Sequence, residues 1–214
     1  MHKIVMNRSN WDFIYGFNNR GVVITSHQQC CYSPSLVVCV EVFSHSKQYF
    51  IEEKDDLIHA KMLPRYLDIA WGKDQRYWSW SSSNEKDGSP VEVAELKHVC
   101  WLDVHGTIPS SNLSPNTTYE VVYIIKLQEK GSGWEVPVSL VIRLQGIDYT
   151  HKLSLMTKPR EKWIELQVGE FLTSSDDMGN IQFFLCECES GNWKSGLLIK
   201  GVVIRPKQQV QPSH

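Results

Sequence analysis

The chain has 214 residues, 42% of them apolar and 21% charged, with a formal net charge of −2 and an isoelectric point near 6.4. That length accommodates one domain of roughly 150 residues with a real core, plus an additional segment. No basic stripe of the kind a nucleic-acid binder carries is present, and no run approaches the roughly 18 unbroken apolar residues of a membrane-spanning helix.

The opening MHKIVMNRSNWDFIYG has no apolar stretch of the secretory kind, which predicts a cytoplasmic chain not exported by a classical signal. Residues 1–60 mix short apolar pieces with Gln, His, Asn and a Cys-Cys pair, and are expected to form a poorly structured N-terminal extension. Within it, LVVCVEVF at 36–43 is compatible with one strand, and EEKDD at 52–56 reads as a solvated face or linker. From residue 61 a regular pattern sets in. Short strand-like runs recur at Leu67–Trp71, Val91–Leu96, Cys100–Gly106, Thr118–Leu127, Val136–Leu144, Lys162–Val168, Ile181–Cys188 and Leu197–Arg205, separated by Gly, Pro, Asn and Ser clusters. In Val136–Leu144 the residues Val136, Val138, Leu140, Ile142 and Leu144 point one way and Pro137, Ser139 and Arg143 the other, so one face is buried and the other wet. Pro137 in that run suits an edge or a bulge. About eight such strands with no long helix predict an all-β antiparallel sandwich, jelly-roll-like, over 61–207, followed by a disordered tail at 208–214.

Signals for catalysis are weak. No G-x-S-x-G, H-E-x-x-H, Walker or G-x-G-x-x-G pattern occurs. Gly131-Ser132-Gly133 reads as a flexible turn. Asp103 and His105 share a strand face near His98 without a third partner. Glu187 and Glu189 are spaced for a carboxylate pair, but on one strand only, which is thin ground for a glycosidase. The six cysteines, Cys30, Cys31, Cys39, Cys100, Cys186 and Cys188, fit neither a disulfide framework nor a zinc site, and read as free thiols of a reducing compartment. No catalytic residue, metal or cofactor is expected.

Tryptophan is the informative residue: seven of the eight lie after residue 70. Trp71-Gly-Lys-Asp-Gln-Arg-Tyr77-Trp78-Ser-Trp80 interleaves four aromatic rings with charge, too much charge for a core strand. On a strand Trp78 and Trp80 share a face and Tyr77 takes the other. Rigid rings beside hydrogen-bonding groups suit a pyranose, whose C–H patch stacks on an aromatic face while its hydroxyls find polar partners. Burial of all three tryptophans is the competing reading, and composition alone leaves the two open. A second aromatic turn, Glu189–Gly196, is expected to present Asn192, Trp193 and Lys194, and loops at one end of a sandwich gather from distant segments.

The blocks LDIAWGKDQRYWSW, VAELKHVCWLDVHGTI, LSPNTTYEVVYIIKL, GWEVPVSL, KPREKWIELQVGEF and GNWKSGLLIKGVVIRPK, in unbroken order over about 61–207, closely resemble the plant phloem protein 2 family, related to the tobacco lectin Nictaba. The resemblance implies a non-enzymatic lectin for N-acetylglucosamine oligomers and N-glycan cores, working in the cytosol, nucleus or phloem sieve elements, with a homodimer as one arrangement. It implies that two tryptophans seven apart, here Trp71 and Trp78, bind sugar, with Glu187, Trp193 and Lys194 completing the site. The full expected set is therefore Trp71, Tyr77, Trp78, Trp80, Glu187, Asn192, Trp193 and Lys194. Phloem members also cross-link to a filament protein through cysteines, a role open here to Cys30, Cys31 and Cys39. The lysine-rich nuclear signal of the tobacco lectin is not evident in this chain. The alternative function is a phloem protein-interaction module without sugar binding.

Overall fold

A computed structural model describes residues 38–44, 47–84 and 90–207. Thirteen strands make up nearly all of its regular structure: β1 (Val38–Ser44), β2 (Lys47–Lys54), β3 (Leu57–Met62), β4 (Asp68–Ile69), β5 (Trp78–Asn84), β6 (Pro90–Leu96), β7 (Leu102–Pro109), β8 (Thr118–Leu127), β9 (Val138–Leu144), β10 (Ile147–Leu153), β11 (Trp163–Leu172), β12 (Asn180–Glu187) and β13 (Leu197–Pro206). Two single-turn 3₁₀ segments, Pro64–Tyr66 and Ser110–Asn112, join them. The strands form two antiparallel sheets, the sandwich expected from the alternation. In one, β11, β8 and β13 lie side by side, and the far edge of β13 is shared by β3, which continues to β2 and β1, and by β6, which continues to β5. The other runs β10-β9-β12-β7-β4.

The alternation translates directly into burial. Along β7, Leu102, Val104, Gly106 and Ile108 face the core while Asp103, His105 and Thr107 face out. Tyr119, Val121, Tyr123, Ile125 and Leu127 of β8 are all buried, opposite Ile181, Phe183 and Leu185 of β12 in one continuous core. Gly106 makes room for that packing, since a Cβ there would lie 2.4 Å from the Phe183 ring. The buried Tyr123 hydroxyl donates to the Val104 carbonyl at 2.9 Å, tying the two sheets together without leaving an orphaned polar atom.

Three differences from the sequence reading have local causes. The division near residue 60 falls inside β3, because Val202, Val203 and Ile204 of β13 pair with Met62, Lys61 and Ala60, and the chain from Val38 onward belongs to this sheet. The EEKDD run is exposed from Glu53 to Asp56, as a solvated face would be, but it is the tip of the β2–β3 hairpin and not a linker, with Asp55 and Asp56 at φ 53° and 59°, left-handed positions that aspartate tolerates. β9 begins after Pro137, so the proline ends a loop instead of interrupting a ladder. Residues 1–37, with Cys30 and Cys31, and the tail at 208–214 lie outside the described residues.

Candidate functional site

Three connections meet at one end of the sandwich: residues 70–77 before β5, residues 97–101 between β6 and β7, and residues 188–196 between β12 and β13. Backbone hydrogen bonds join them. Lys97 N–H donates to Tyr77 O at 2.8 Å, and Val99 and Lys194 exchange N–H···O bonds of 3.0 and 2.7 Å. Gly196 N–H donates to Leu96 O, and Ala70 N–H to Asp103 O, both at 2.9 Å. The Lys97 ammonium donates to Gln75 O at 2.9 Å. The loop at 128–134 supports this array from behind. The indole of buried Trp134 donates to Ser195 O, and Gly133, at φ 84°, lies so close that a Cβ there would meet Trp193 O at 2.1 Å.

Within the first connection the tryptophans divide into two roles. Trp78 and Trp80 point inward from β5. The Trp78 indole N–H donates to Ala70 O and that of Trp80 to Gly72 O, each at 3.0 Å. The two bonds grip the carbonyls on either side of Trp71. Gly72 N–H to Ile69 O and Asp74 N–H to Trp71 O close the turns. Trp71 itself is held at φ 62°, a conformation that costs a non-glycine residue about 1–2 kcal/mol, and its ring is 61% exposed. Tyr77, half-buried, has its ring centroid 5.9 Å from that of Trp71. The strained backbone thus turns a large apolar ring toward water.

The third connection is organised by a buried ion pair. Glu187, at the end of β12, meets the Lys194 ammonium, and neither side chain is exposed by more than 5%. Glu187 also accepts from Glu189 N–H at 3.1 Å, Ser190 N–H at 2.9 Å and the Ser190 hydroxyl at 2.8 Å. Lys194 donates further to Cys100 O at 3.0 Å and Asn192 O at 2.8 Å. Burial pushes the Glu187 carboxyl upward, but the hydrogen bonds from Lys194 and Ser190 outweigh it and hold the group at about 2. A glycosidase acid needs the opposite shift, so Glu187 is not poised for that role. The ion pair sets the shape of the turn that presents Trp193, 49% exposed, whose ring lies 4.5 Å from that of the exposed His98.

The structure thus brings Trp71, Tyr77, Asn192 and Trp193 to one end and corrects the roles of four residues. Trp78 is 1% exposed and Lys194 is fully buried, so neither can stack on or bond a ligand. Glu187 is consumed by its ion pair, and Trp80 is half-buried beneath the Arg65 guanidinium, 3.9 Å from its ring centroid. All four build the loops that carry the exposed rings. His98 belongs to the same cluster, and Trp101, 52% exposed, lies in the same 97–101 connection; both lay outside the expected set. The phase of β7 contains the clue for Trp101: with Leu102 and Val104 inward, position 101 points out.

His105, on the outer face of β7, has Nδ1 3.2 Å from Asp103 and Nε2 3.6 Å from Asp68. Among the described residues no group of three or more His, Cys, Asp or Glu side chains is arranged to hold a metal ion, and no helix is long and apolar enough to cross a membrane.

The family model "Phloem protein 2" matches residues 59–206. Protein phloem protein 2-like A1 of Arabidopsis thaliana is 38% identical over 164 residues, covering 75% of this chain and 66% of that protein's length. A protein named lectin from Luffa acutangula is 36% identical over 167 residues, covering 77% of this chain and 78% of its own. Another protein named lectin, from Coccinia grandis, is 32% identical over 149 residues, covering 68% and 92% respectively.

Proposed function

The chain belongs to the phloem protein 2 family, and from that premise we propose that it is a non-catalytic carbohydrate-binding lectin whose site is the aromatic loop cluster. The observation that carries the reading is Trp71: exposed, held at φ 62° and gripped on both flanks by the indoles of Trp78 and Trp80. A ring displayed so rigidly loses little freedom on binding, and its face complements the C–H patch of a pyranose. Trp193 and Trp101 offer further platforms, and Asn192 and the His98 ring polar partners. The substrate class we assign is N-acetylglucosamine oligomers and N-glycan cores, whose acetamido groups add an amide and a methyl to each sugar. One aromatic contact is worth about 1 kcal/mol, so a single sugar binds weakly and an oligomer spanning two rings binds better. The lectin names of the Luffa and Coccinia relatives support this reading. The free thiols of Cys100, Cys186 and Cys188 fit a reducing cytosol, such as that of phloem cells.

The test is calorimetric titration with chitotriose. Wild-type protein should bind saturably, and Trp71→Ala and Trp193→Ala should each weaken binding by about tenfold, the equivalent of roughly 1.4 kcal/mol, with unchanged thermal unfolding. No wild-type binding up to millimolar sugar would overturn the sugar reading and leave a protein-interaction module on the same scaffold.

A further inference from the structure

The outer face of the larger sheet carries a basic trough with an apolar floor. Along β8, Tyr119, Val121, Tyr123 and Ile125 face the core, so Glu120, Val122, Ile124 and Lys126 face out. The ladder with β13 shifts register between Ile199 and Gly201, a bulge in which Lys200 is the extra residue. Gly201 presents no side chain, and beside it opens a depression of about 150 Å³ lined by Lys61, Ile124, Lys200, Gly201 and Val203. Its walls are mostly apolar and no carboxylate lines it. The ammonium groups of Lys126 and Lys200 stand 5.2 and 5.5 Å from the centroid of the Trp163 ring on β11, so the cationic surface continues from the depression across β8.

The carboxylates of β8 and β11 on this face do not neutralise these lysines. Glu120 and Glu165 both hold Arg205, at 2.6 Å each, and Glu170 holds Lys207 at 2.7 Å. Glu95, in the ladder row of Leu198 and Lys126, accepts from Gln128 Nε2 at 2.9 Å. In a chain of net charge −2 the trough is a local concentration of positive charge, and its complement is a partner that is anionic at its ends and apolar between them. The spacing defines that partner further. Lys61 stands opposite Val203, and Val203 opposite Val122, four positions before Lys126. With about 4.8 Å between strands and about 3.3 Å per residue, the two lysines are roughly 16 Å apart at their backbones. An extended peptide sets side chains i, i+2 and i+4 on one face, the outer two about 13 Å apart, and the flexible lysine stems close the difference. A phosphate backbone, charged at every step, has nothing to place on the apolar floor.

We propose that this trough docks an extended acidic peptide of a partner protein, patterned acid-x-apolar-x-acid, with its acids on Lys61 and on Lys126 with Lys200 and its apolar side chain on Ile124 and Val203. The surface uses none of the aromatic-loop residues and does not depend on sugar binding. Fluorescence anisotropy of the full chain with a labelled peptide, Gly-Glu-Ser-Leu-Ser-Glu-Gly, provides the test. Wild type should bind saturably at roughly 100 µM or tighter, and more weakly as salt is raised. Replacing the leucine of the peptide by glycine should weaken binding severalfold, and replacing both glutamates by lysine should abolish it. The double variant Lys61→Glu with Lys126→Glu should lose the acidic peptide by about tenfold or more and bind the lysine peptide instead, with unchanged circular dichroism and melting. Absence of saturable wild-type binding up to millimolar peptide, indifference to the leucine, or a double variant that fails to exchange its preference overturns the proposal. So does equal binding of an RNA oligonucleotide or of vesicles rich in anionic lipid that is lost in the same variant, which would mark a general anion surface.

Discussion

Three tryptophans within ten positions perform two different jobs, and the distinction rests on where each indole N–H ends up. Those of Trp78 and Trp80 reach back eight residues to the carbonyls of Ala70 and Gly72. Trp71, between those carbonyls, is the one left in water. Removing Trp78 therefore empties a core position as well as freeing a loop. Trp78→Ala should cost about 3–5 kcal/mol in urea unfolding and lose sugar binding as a consequence, whereas Trp71→Ala should lose binding at full stability. Equal stability of the two variants would contradict this division. Glu187 gives a second prediction. Its carboxyl lies at about 2, below the ordinary 4.5, so the folded state binds its proton less readily than the unfolded state. The stabilisation is fully present above pH 4.5 and is lost as the pH falls toward 2, a change on the order of 3 kcal/mol. Glu187→Gln should flatten the stability profile in that window. It should also destabilise the protein at neutral pH, because Lys194 would then be buried without its counter-charge. The cluster of aromatic rings was legible in the interleaving of rings and charge, but the placement of each ring was not. Burial of Trp78 depends on a hydrogen bond to a turn, and burial of Lys194 on a carboxylate that arrives from β12.

At the scale of elements, the strands that could be read were those with one face in the core. β7, β8 and β12 alternate because each contributes every second residue to the same interior. β10 left no such trace, since a strand exposed on both faces has no reason to alternate, and its ladder with β9 becomes visible only in the fold. β2 and β3 were hidden for a related reason: their hairpin is charged at its tip, and among its described side chains only Tyr49, Ala60 and Met62 are deeply buried. Among the loops, the least legible contact is the one between Gly133 and the carbonyl of Trp193, two connections sixty residues apart in sequence. Gly133→Ala adds a methyl group where 2.1 Å is available, at a positive φ that alanine disfavours. We expect the variant to keep its sheets, with an unchanged far-UV spectrum, and to displace the 188–196 turn. Its tryptophan fluorescence should change, and chitotriose affinity should fall while the Trp71 loop stays in place. Unchanged affinity would remove Trp193 from the binding surface.

For the whole molecule, the candidate site depends on both sheets at once. Each of its three connections crosses from one sheet to the other: residues 70–77 from β4 to β5, residues 97–101 from β6 to β7, and residues 188–196 from β12 to β13. The exposed rings are therefore placed by the way the sheets pack as well as by the backbone bonds among the loops. Phe183 of β12 lies in that packing, against Gly106 of β7 and the Tyr123 ring of β8. Phe183→Ala should cost about 3–5 kcal/mol in urea unfolding and weaken chitotriose binding with every loop residue in place. Loss of stability with unchanged affinity would mean that the hydrogen bonds joining the three connections hold the cluster by themselves.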